Sequence, residues 1–171
     1  MDAVVAVYNN WGIGRGGTQP LVIPEDRRFF RELTRGAALI AGRRTLEDFP
    51  DSRPLKGRVN IILTRTLAEI EGALIARCAQ EALALAAAHE PAFVIGGESV
   101  YRALLPYCRS VYVTKIFARP DCDAFFPNLD ESGDWRLARQ GETREHEGIG
   151  YAFARYERSD AKEPEDSSAG L

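Results

Sequence analysis

Cysteine is scarce in this chain and unsuited to pairing. Cys78, Cys108 and Cys122 are odd in number, and none falls in a C-x-x-C or zinc-ligand spacing. That excludes a disulfide scaffold and points to reduced thiols in the cytoplasm. Histidine is scarcer still, and His89 and His146 form no metal motif. Long apolar runs are missing, and the start, Met1-Asp2-Ala3-Val4-Val5, has neither the basic segment nor the hydrophobic stretch of an export signal, so no membrane is implied. An excess of positive charge is missing too. Lys and Arg number 22 against 25 Asp and Glu, a net charge of −3, which argues against nucleic acid as a partner. No repeat is evident. What is present is 45% hydrophobic and 27% charged residues, the balance of a soluble globular protein. One domain of this length buries roughly 70% of its unfolded surface, so no second core is needed and a monomer is the expected state.

Short runs rich in Val, Ile and Ala recur between helical stretches: Ala3–Val7, Ala37–Ala41, Val59–Leu63, Phe93–Ile95 and Val111–Ile116. Helices are expected at Pro24–Arg35, near Arg44–Phe49, at Cys78–His89 and at Ser99–Leu104. This alternation predicts a largely parallel α/β sheet with helical crossovers. Trp135–Arg139 and Tyr151–Arg158 instead alternate with period two, predicting an antiparallel pair at the sheet edge. From Ser159 to Leu171 the chain is polar, acidic and interrupted by Pro164, so residues 1–158 are read as the domain and 159–171 as a disordered tail.

The most informative residue is Asp26, in Ile23-Pro24-Glu25-Asp26-Arg27-Arg28-Phe29-Phe30-Arg31-Glu32-Leu33. Pro24 suits a first helical position and Gly36 offers a stop. Phe29, Phe30 and Leu33 lie three, four and seven positions after Asp26, so the face that buries two aromatic rings also carries the acid. A carboxylate there is costly unless it holds a ligand or a fixed partner, and a first-turn dipole or capping role is the simpler alternative.

Gly12-Ile13-Gly14-Arg15-Gly16-Gly17 matches the dinucleotide fingerprint in letters only. The fingerprint must open a helix, whereas Thr18-Gln19-Pro20-Leu21-Val22-Ile23-Pro24 continues as a proline-bounded loop. A mobile flap beside a site, or a plain connection, fits better. Three other junctions carry phosphate chemistry at strand ends: Ala41-Gly42-Arg43-Arg44-Thr45, Leu63-Thr64-Arg65, and Ile95-Gly96-Gly97-Glu98-Ser99-Val100-Tyr101. The first alone reads equally as a capped helix, whereas an ordinary turn would seldom need both glycines of the third. Together they point to an extended, multiply charged nucleotide, and the arginines favour the extra phosphate of NADPH over NADH.

These segments, with Trp11-Gly12-Ile13-Gly14, Arg53-Pro54-Leu55-Lys56-Gly57-Arg58 and Val113-Thr114, closely resemble the dihydrofolate reductase family, in its order and approximate spacing, over essentially residues 3 to 158. The resemblance implies a three-layer α/β sandwich: a central mixed, mostly parallel sheet, a C-terminal antiparallel hairpin, and helices on both faces. It implies reduction of dihydrofolate, with or without further glutamates on its tail, by hydride transfer from NADPH. Asp26 would grip the 2-amino-4-oxo edge of the pterin, with Thr114 joining that network through a water. Val4, Val5, Phe30, Phe49, Leu55, Ile95 and Tyr101 would line the substrate pocket, and Arg58 would pair with the α-carboxylate of the glutamate tail. Ala6, Ile13 and Gly14 would meet the nicotinamide. Gly42, Arg43, Arg44, Thr45, Leu63, Thr64, Arg65 and Arg77 would hold phosphates and the adenine side. Glu98, Ser99 and Val100 would complete the cofactor site after the family's Gly96-Gly97 cis peptide, and Asp123 would steady the flap.

Three positions depart from the family pattern. Leu21 stands where many members have a water-holding Trp, Gln19 replaces an apolar flap residue, and Arg27 replaces a common apolar one. The rival readings are a pyrimidine reductase of riboflavin synthesis and an idle NADPH-binding module. Asp26 together with Arg58 favours folate, because a pterin edge and a glutamate carboxylate are the groups that pair would recognise.

Overall fold

The computed structural model describes residues 1–159. Eleven strands and four helices follow in order. They are β1 (Asp2–Val7), β2 (Gly12–Gly14), α1 (Pro24–Leu33), β3 (Ala38–Gly42), α2 (Arg43–Glu47), β4 (Val59–Leu63), β5 (Ala73–Ala76), α3 (Ala79–Ala87), β6 (Ala92–Gly96), α4 (Glu98–Leu104), β7 (Ser110–Ile116), β8 (Ala124–Phe125), β9 (Trp135–Gln140), β10 (Arg144–His146) and β11 (Ile149–Arg158). The main sheet runs β10-β11-β7-β1-β6-β3-β4-β5, and β9 also pairs with β11. From β7 to β5 every pairing is parallel, and β11 joins β7, β9 and β10 antiparallel.

Strand periodicity sorts the layers. Ala3, Val5 and Val7 of β1 face one side with Val94, Val111 and Val113, and there α3 contributes Ala82 and Ala86 and α4 contributes Val100 and Leu104. Val4 faces the other side, against Phe29, Phe30 and Leu33 of α1, while α2 packs Leu46 on Ala41 and Ile62. Both faces of the parallel strands are thus covered, as their near-continuous apolar runs require.

Several elements differ from the sequence reading. The segment expected to be a flap loop includes β2, which pairs with β8 in a separate small sheet. Residues Ala73–Ala76 form an edge strand too short to stand out beside its neighbours. The polar Arg144-Glu145-His146 forms β10 because a two-residue turn with Glu147 at φ 50° and Gly148 at φ 78° sends it straight into β11. Helix α3 ends earlier than expected, at Ala87. The expected disordered tail lies outside the described residues except for Ser159, whose N–H donates to the Asp134 carbonyl at 2.8 Å.

Candidate active site

A cleft of 1720 Å³ opens at the C-terminal ends of the parallel strands. That is larger than the roughly 300–1,000 Å³ of a site for one small ligand, so it has room for two. One end is bounded by α1 and the loop before β4. The other is bounded by the strand ends that lead into α2 and α4.

Asp26 belongs to the first end. Pro24 sets the first turn of α1, and Ile23 at the cap position offers no side-chain hydrogen bond. The Asp26 carboxylate does not cap its own helix; it accepts a 2.6 Å hydrogen bond from the Thr114 hydroxyl of β7. Thr114 is 1% exposed and lies beneath the cleft rather than on its wall. The contact is direct, where the resemblance implied a water. Burial pushes the Asp26 carboxyl above its ordinary range, while the Thr114 bond and the charge of Arg27 pull the other way. Glu25, one residue earlier, is held low instead: the Tyr151 hydroxyl donates to it, and Arg144 lies 3.3 Å away. Phe29, Phe30 and Leu33 are half-buried, not buried as expected; of the three only Phe30 lines the cleft, while Phe29 packs on Tyr112 and Phe153.

Val4, Val5, Phe30, Phe49, Leu55, Arg58, Ile95 and Tyr101 all line the cleft. Arg58 is held before any ligand arrives. Its Nε and Nη2 donate to the Thr34 hydroxyl at 3.3 and 3.2 Å, Nη2 also to the Arg31 carbonyl at 3.0 Å, and Nη1 to the Lys56 carbonyl at 2.9 Å. Tyr101 is buried and donates to the Val4 carbonyl at 2.7 Å. Burial drives its phenol far above the usual range, so it stays neutral.

At the other end, Gly42, Arg43, Arg44, Thr45, Leu63, Thr64, Arg65, Arg77, Gly96, Gly97, Glu98, Ser99 and Val100 line the cleft, with Ala6, Ile13 and Gly14 where the two ends meet. The Gly96-Gly97 peptide is cis, and Gly96 has φ 128°. A Cβ on Gly96 would sit 3.4 Å from both Thr45 Oγ1 and the Tyr101 ring, and one on Gly42 would sit 3.2 Å from Val100 Cγ2. The side chains of Thr45, Tyr101 and Val100 therefore pack against glycine backbone there, in space that a Cβ would fill. Arg77 donates through Nη1 to the carbonyls of Thr64 and Leu67 at 3.1 and 2.6 Å, bracing the loop after β4. The Thr64 oxygen accepts from the N–H groups of Thr66 and Leu67, which leaves the hydroxyl proton for a ligand. Arg65 makes no ion pair among the described residues, and Arg43 faces only Glu47 at 3.7 Å. Free guanidinium groups beside glycine backbone suit the phosphates of a dinucleotide such as NADPH.

The flap is a hairpin closed by Arg15 and Thr18 around Gly16 and Gly17, whose φ values of 60° and 86° need glycine. Asp123 accepts from the Gly16 N–H at 3.0 Å and donates its own N–H to the Gly14 carbonyl at 3.0 Å. Gln19 lines the cleft, whereas Leu21 packs into the apolar cluster of Tyr8, Ile23, Ile116 and Tyr151.

Three buried polar residues escaped the sequence reading: Tyr8, Thr34 and Asn60. The Tyr8 hydroxyl accepts from the Leu21 N–H at 3.0 Å and donates to its carbonyl at 2.8 Å. Asn60 clasps the Leu55 N–H and carbonyl at 3.0 and 2.9 Å. The one available signal was a polar residue inside an apolar strand, as in Val59-Asn60-Ile61-Ile62.

A sequence profile described as dihydrofolate reductase matches residues 1–158. The chain belongs to the dihydrofolate reductase family. It is 37% identical over 155 residues to the dihydrofolate reductase of Neisseria meningitidis serogroup A, covering 90% of this chain and 94% of that one. It is 34% identical over 161 residues to that of Bacillus subtilis, covering 92% and 94%. Among solved structures, a dihydrofolate reductase from Enterococcus faecalis complexed with NADP(H) and RAB-propyl superposes with a TM-score of 0.84 at 32% identity, over 93% of this chain and 96% of that one. Carrot (Daucus carota) has a bifunctional dihydrofolate reductase-thymidylate synthase that is 40% identical over 151 residues. This chain spans 29% of that relative's length and 77% of its own.

Proposed function

We propose that this family member reduces dihydrofolate to tetrahydrofolate with NADPH, and that Asp26 is its catalytic acid residue. The observation that carries the reading is one half-buried carboxylate, bonded by Thr114 at 2.6 Å, in a cleft with room for two ligands. An ionised Asp26 accepts paired hydrogen bonds from the 2-amino-4-oxo edge of the pterin, with the Thr114 hydroxyl fixing which oxygen faces the substrate. NADPH, when bound, supplies the hydride that reaches C6 of the dihydropterin. Asp26 stabilises the positive charge that develops as N5 is protonated, and water admitted past the Gly12–Gln19 flap delivers that proton. Phe30, Phe49, Leu55 and Ile95 hold the aryl portion, and Arg58 pairs with the α-carboxylate of the glutamate tail. Gly42, Arg43, Thr45, Thr64, Arg65 and the Gly96-Gly97 backbone hold the cofactor's phosphates and orient it toward the pterin. We read the chain as a monomer of the cytoplasm, a compartment in which Cys78, Cys108 and Cys122, all free, would stay reduced.

The test is the loss of reduced-nicotinamide absorbance with dihydrofolate and NADPH. Turnover by the wild-type chain, with Asp26→Asn strongly impaired, is expected. No turnover, or an equally active Asn variant, would remove the reading.

A further inference from the structure

The first turn of α1 carries two carboxylates in succession, Glu25 and Asp26, and the fold treats them oppositely. Consecutive helical residues point about 100° apart, so only Asp26 lines the cleft while Glu25 turns to the C-terminal hairpin. There its oxygens accept from the Tyr151 hydroxyl of β11 and from Arg144 Nη1 of β10, the latter at 3.3 and 3.5 Å. Arg144 and Tyr151 are directly opposed in the ladder of β10 and β11, and Tyr151 is buried. On the same strand Phe153 meets Phe29 of α1 at 5.0 Å and lies opposite Thr114, the residue that donates to Asp26. Tyr151 lies opposite Ile116, two residues further along β7. One antiparallel ladder therefore holds both carboxylates of one helical turn, Asp26 through Thr114 and Glu25 through Tyr151. The helix start has little other directional hold, since Ile23 at the cap position makes no side-chain hydrogen bond and its burial beside Tyr151 is apolar contact.

We propose that Glu25, Tyr151 and Arg144 are a positioning clamp that sets the rotation of α1 about its axis, and so aims the Asp26 carboxylate at Thr114 and at the substrate. For the substrate the inference rests on the dihydrofolate reading; for Thr114 it does not. Side-chain tips lie about 5–6 Å from a helix axis, so a rotation of about 10° carries the carboxylate about 1 Å. That stretches a bond of 2.6 Å past ordinary hydrogen-bond length, and a misplacement of about 1 Å at a reacting group can cost about 100-fold in rate. The Tyr151 hydrogen bond, and after it Arg144, outweigh desolvation and hold the Glu25 carboxyl below its ordinary range, so the clamp is charged at neutral pH. Arg28 faces Glu25 from its own helix. Asp26 is faced by other groups, Thr114 of β7, Arg27, Tyr8 and Tyr101 of α4, so the clamp reaches it through geometry rather than charge.

Tyr151→Phe keeps the ring and removes the hydroxyl. With dihydrofolate and NADPH, kcat/KM for dihydrofolate should fall about tenfold, and the acid limb of its pH profile should move to higher pH, because the Thr114 bond that holds the Asp26 pKa down is loosened. The KM for NADPH should not move. In the Thr114→Val background the same substitution should leave the limb where Thr114→Val alone puts it. Glu25→Ala should match Tyr151→Phe, and it carries the test if the Phe variant folds poorly. Glu25→Gln keeps an acceptor for the hydroxyl and should recover most of both losses. A lower melting temperature with an unmoved acid limb, or a limb shift that survives in full beside Thr114→Val, overturns the clamp. Carbon-13 NMR titration of the aspartate carboxyls, with the Asp26 signal assigned by Asp26→Asn, reads the same shift without turnover. If the wild type turns over no dihydrofolate, that reading fails and the titration alone decides: a raised Asp26 pKa in Tyr151→Phe supports the clamp, and an unchanged one overturns it.

Discussion

The two ends of the cleft are built by opposite means. At the α1 end, side chains dominate: an acid and aromatic rings, all half-buried, and an arginine locked by four hydrogen bonds. At the other end glycine backbone at Gly42, Gly96 and Gly97 lines the cleft, with the exposed guanidinium groups of Arg43, Arg44, Arg65 and Arg77 around it. Chemistry at the first end should therefore be lost by changing one atom of one side chain. Affinity at the second should erode by degrees as charges are removed, because each exposed charge acts in high dielectric.

The sharpest break in that comparison is Asp26→Asn, which keeps the shape and removes the charge. Turnover at neutral pH should fall about 30- to 1,000-fold, from a loss of about 2–4 kcal/mol when a buried charged partner is left alone. The deficit should narrow in acid, where the substrate reaches the enzyme already protonated. Stability should move the other way. The folded pKa of Asp26 lies above its unfolded value, so the native state binds more protons between the two and stability falls as pH rises through the raised value. The Asn variant should therefore melt above the wild type at neutral pH, and the gap should close as pH drops below the ordinary carboxylate range.

A smaller effect is expected at the opposite end. Replacing Arg43 and Arg65 together by Ala should cut the preference for NADPH over NADH by about 10- to 50-fold, which comparative KM measurements would read. A rise that is equal for both cofactors would show that these arginines do not face the distinguishing phosphate. Returning to the first end, Thr114→Val should cost about tenfold in kcat/KM. Because the Thr114 bond holds the Asp26 pKa down, its loss should also move the acid limb of the pH-rate profile to higher pH.

How much of this was legible in the sequence follows the same division. The Asp26 helix could be read because its signal is local, an acid in register with Phe29, Phe30 and Leu33. The strand-end glycines could be read because few turns need Gly42 beside paired arginines, or two glycines in succession at Gly96-Gly97. Tyr8 and Asn60 could not, because each bonds backbone groups of a loop whose position only the fold determines, and Thr34 could not, because it meets the Arg58 guanidinium from a distant part of the chain. The polar β10 was hidden for a related reason, since the left-handed turn at Glu147 and Gly148, not its own pattern, makes it a strand. Leu21 was read as lacking the tryptophan's hold on a site water; the fold adds that its side chain belongs to the apolar cluster and its backbone to Tyr8. The smallest expected effect tests that last contact. Tyr8→Phe leaves one N–H and one carbonyl of Leu21 without their partner and should cost about 1–3 kcal/mol of stability, measured by denaturant unfolding.

Ile95 and Gly96 are consecutive residues of β6, and Val5 and Ala6 of β1, and all four line the cleft, where on the proposed function the first of each pair meets the substrate and the second the cofactor. Neighbouring Cα atoms are about 3.8 Å apart whatever else moves. Two covalent gauges, side by side in the middle of the sheet, thus set the spacing between whatever occupies the two ends. On the proposed function, the approach of the two ligands would be referred to neighbouring residues of one strand rather than to the flap or to α1.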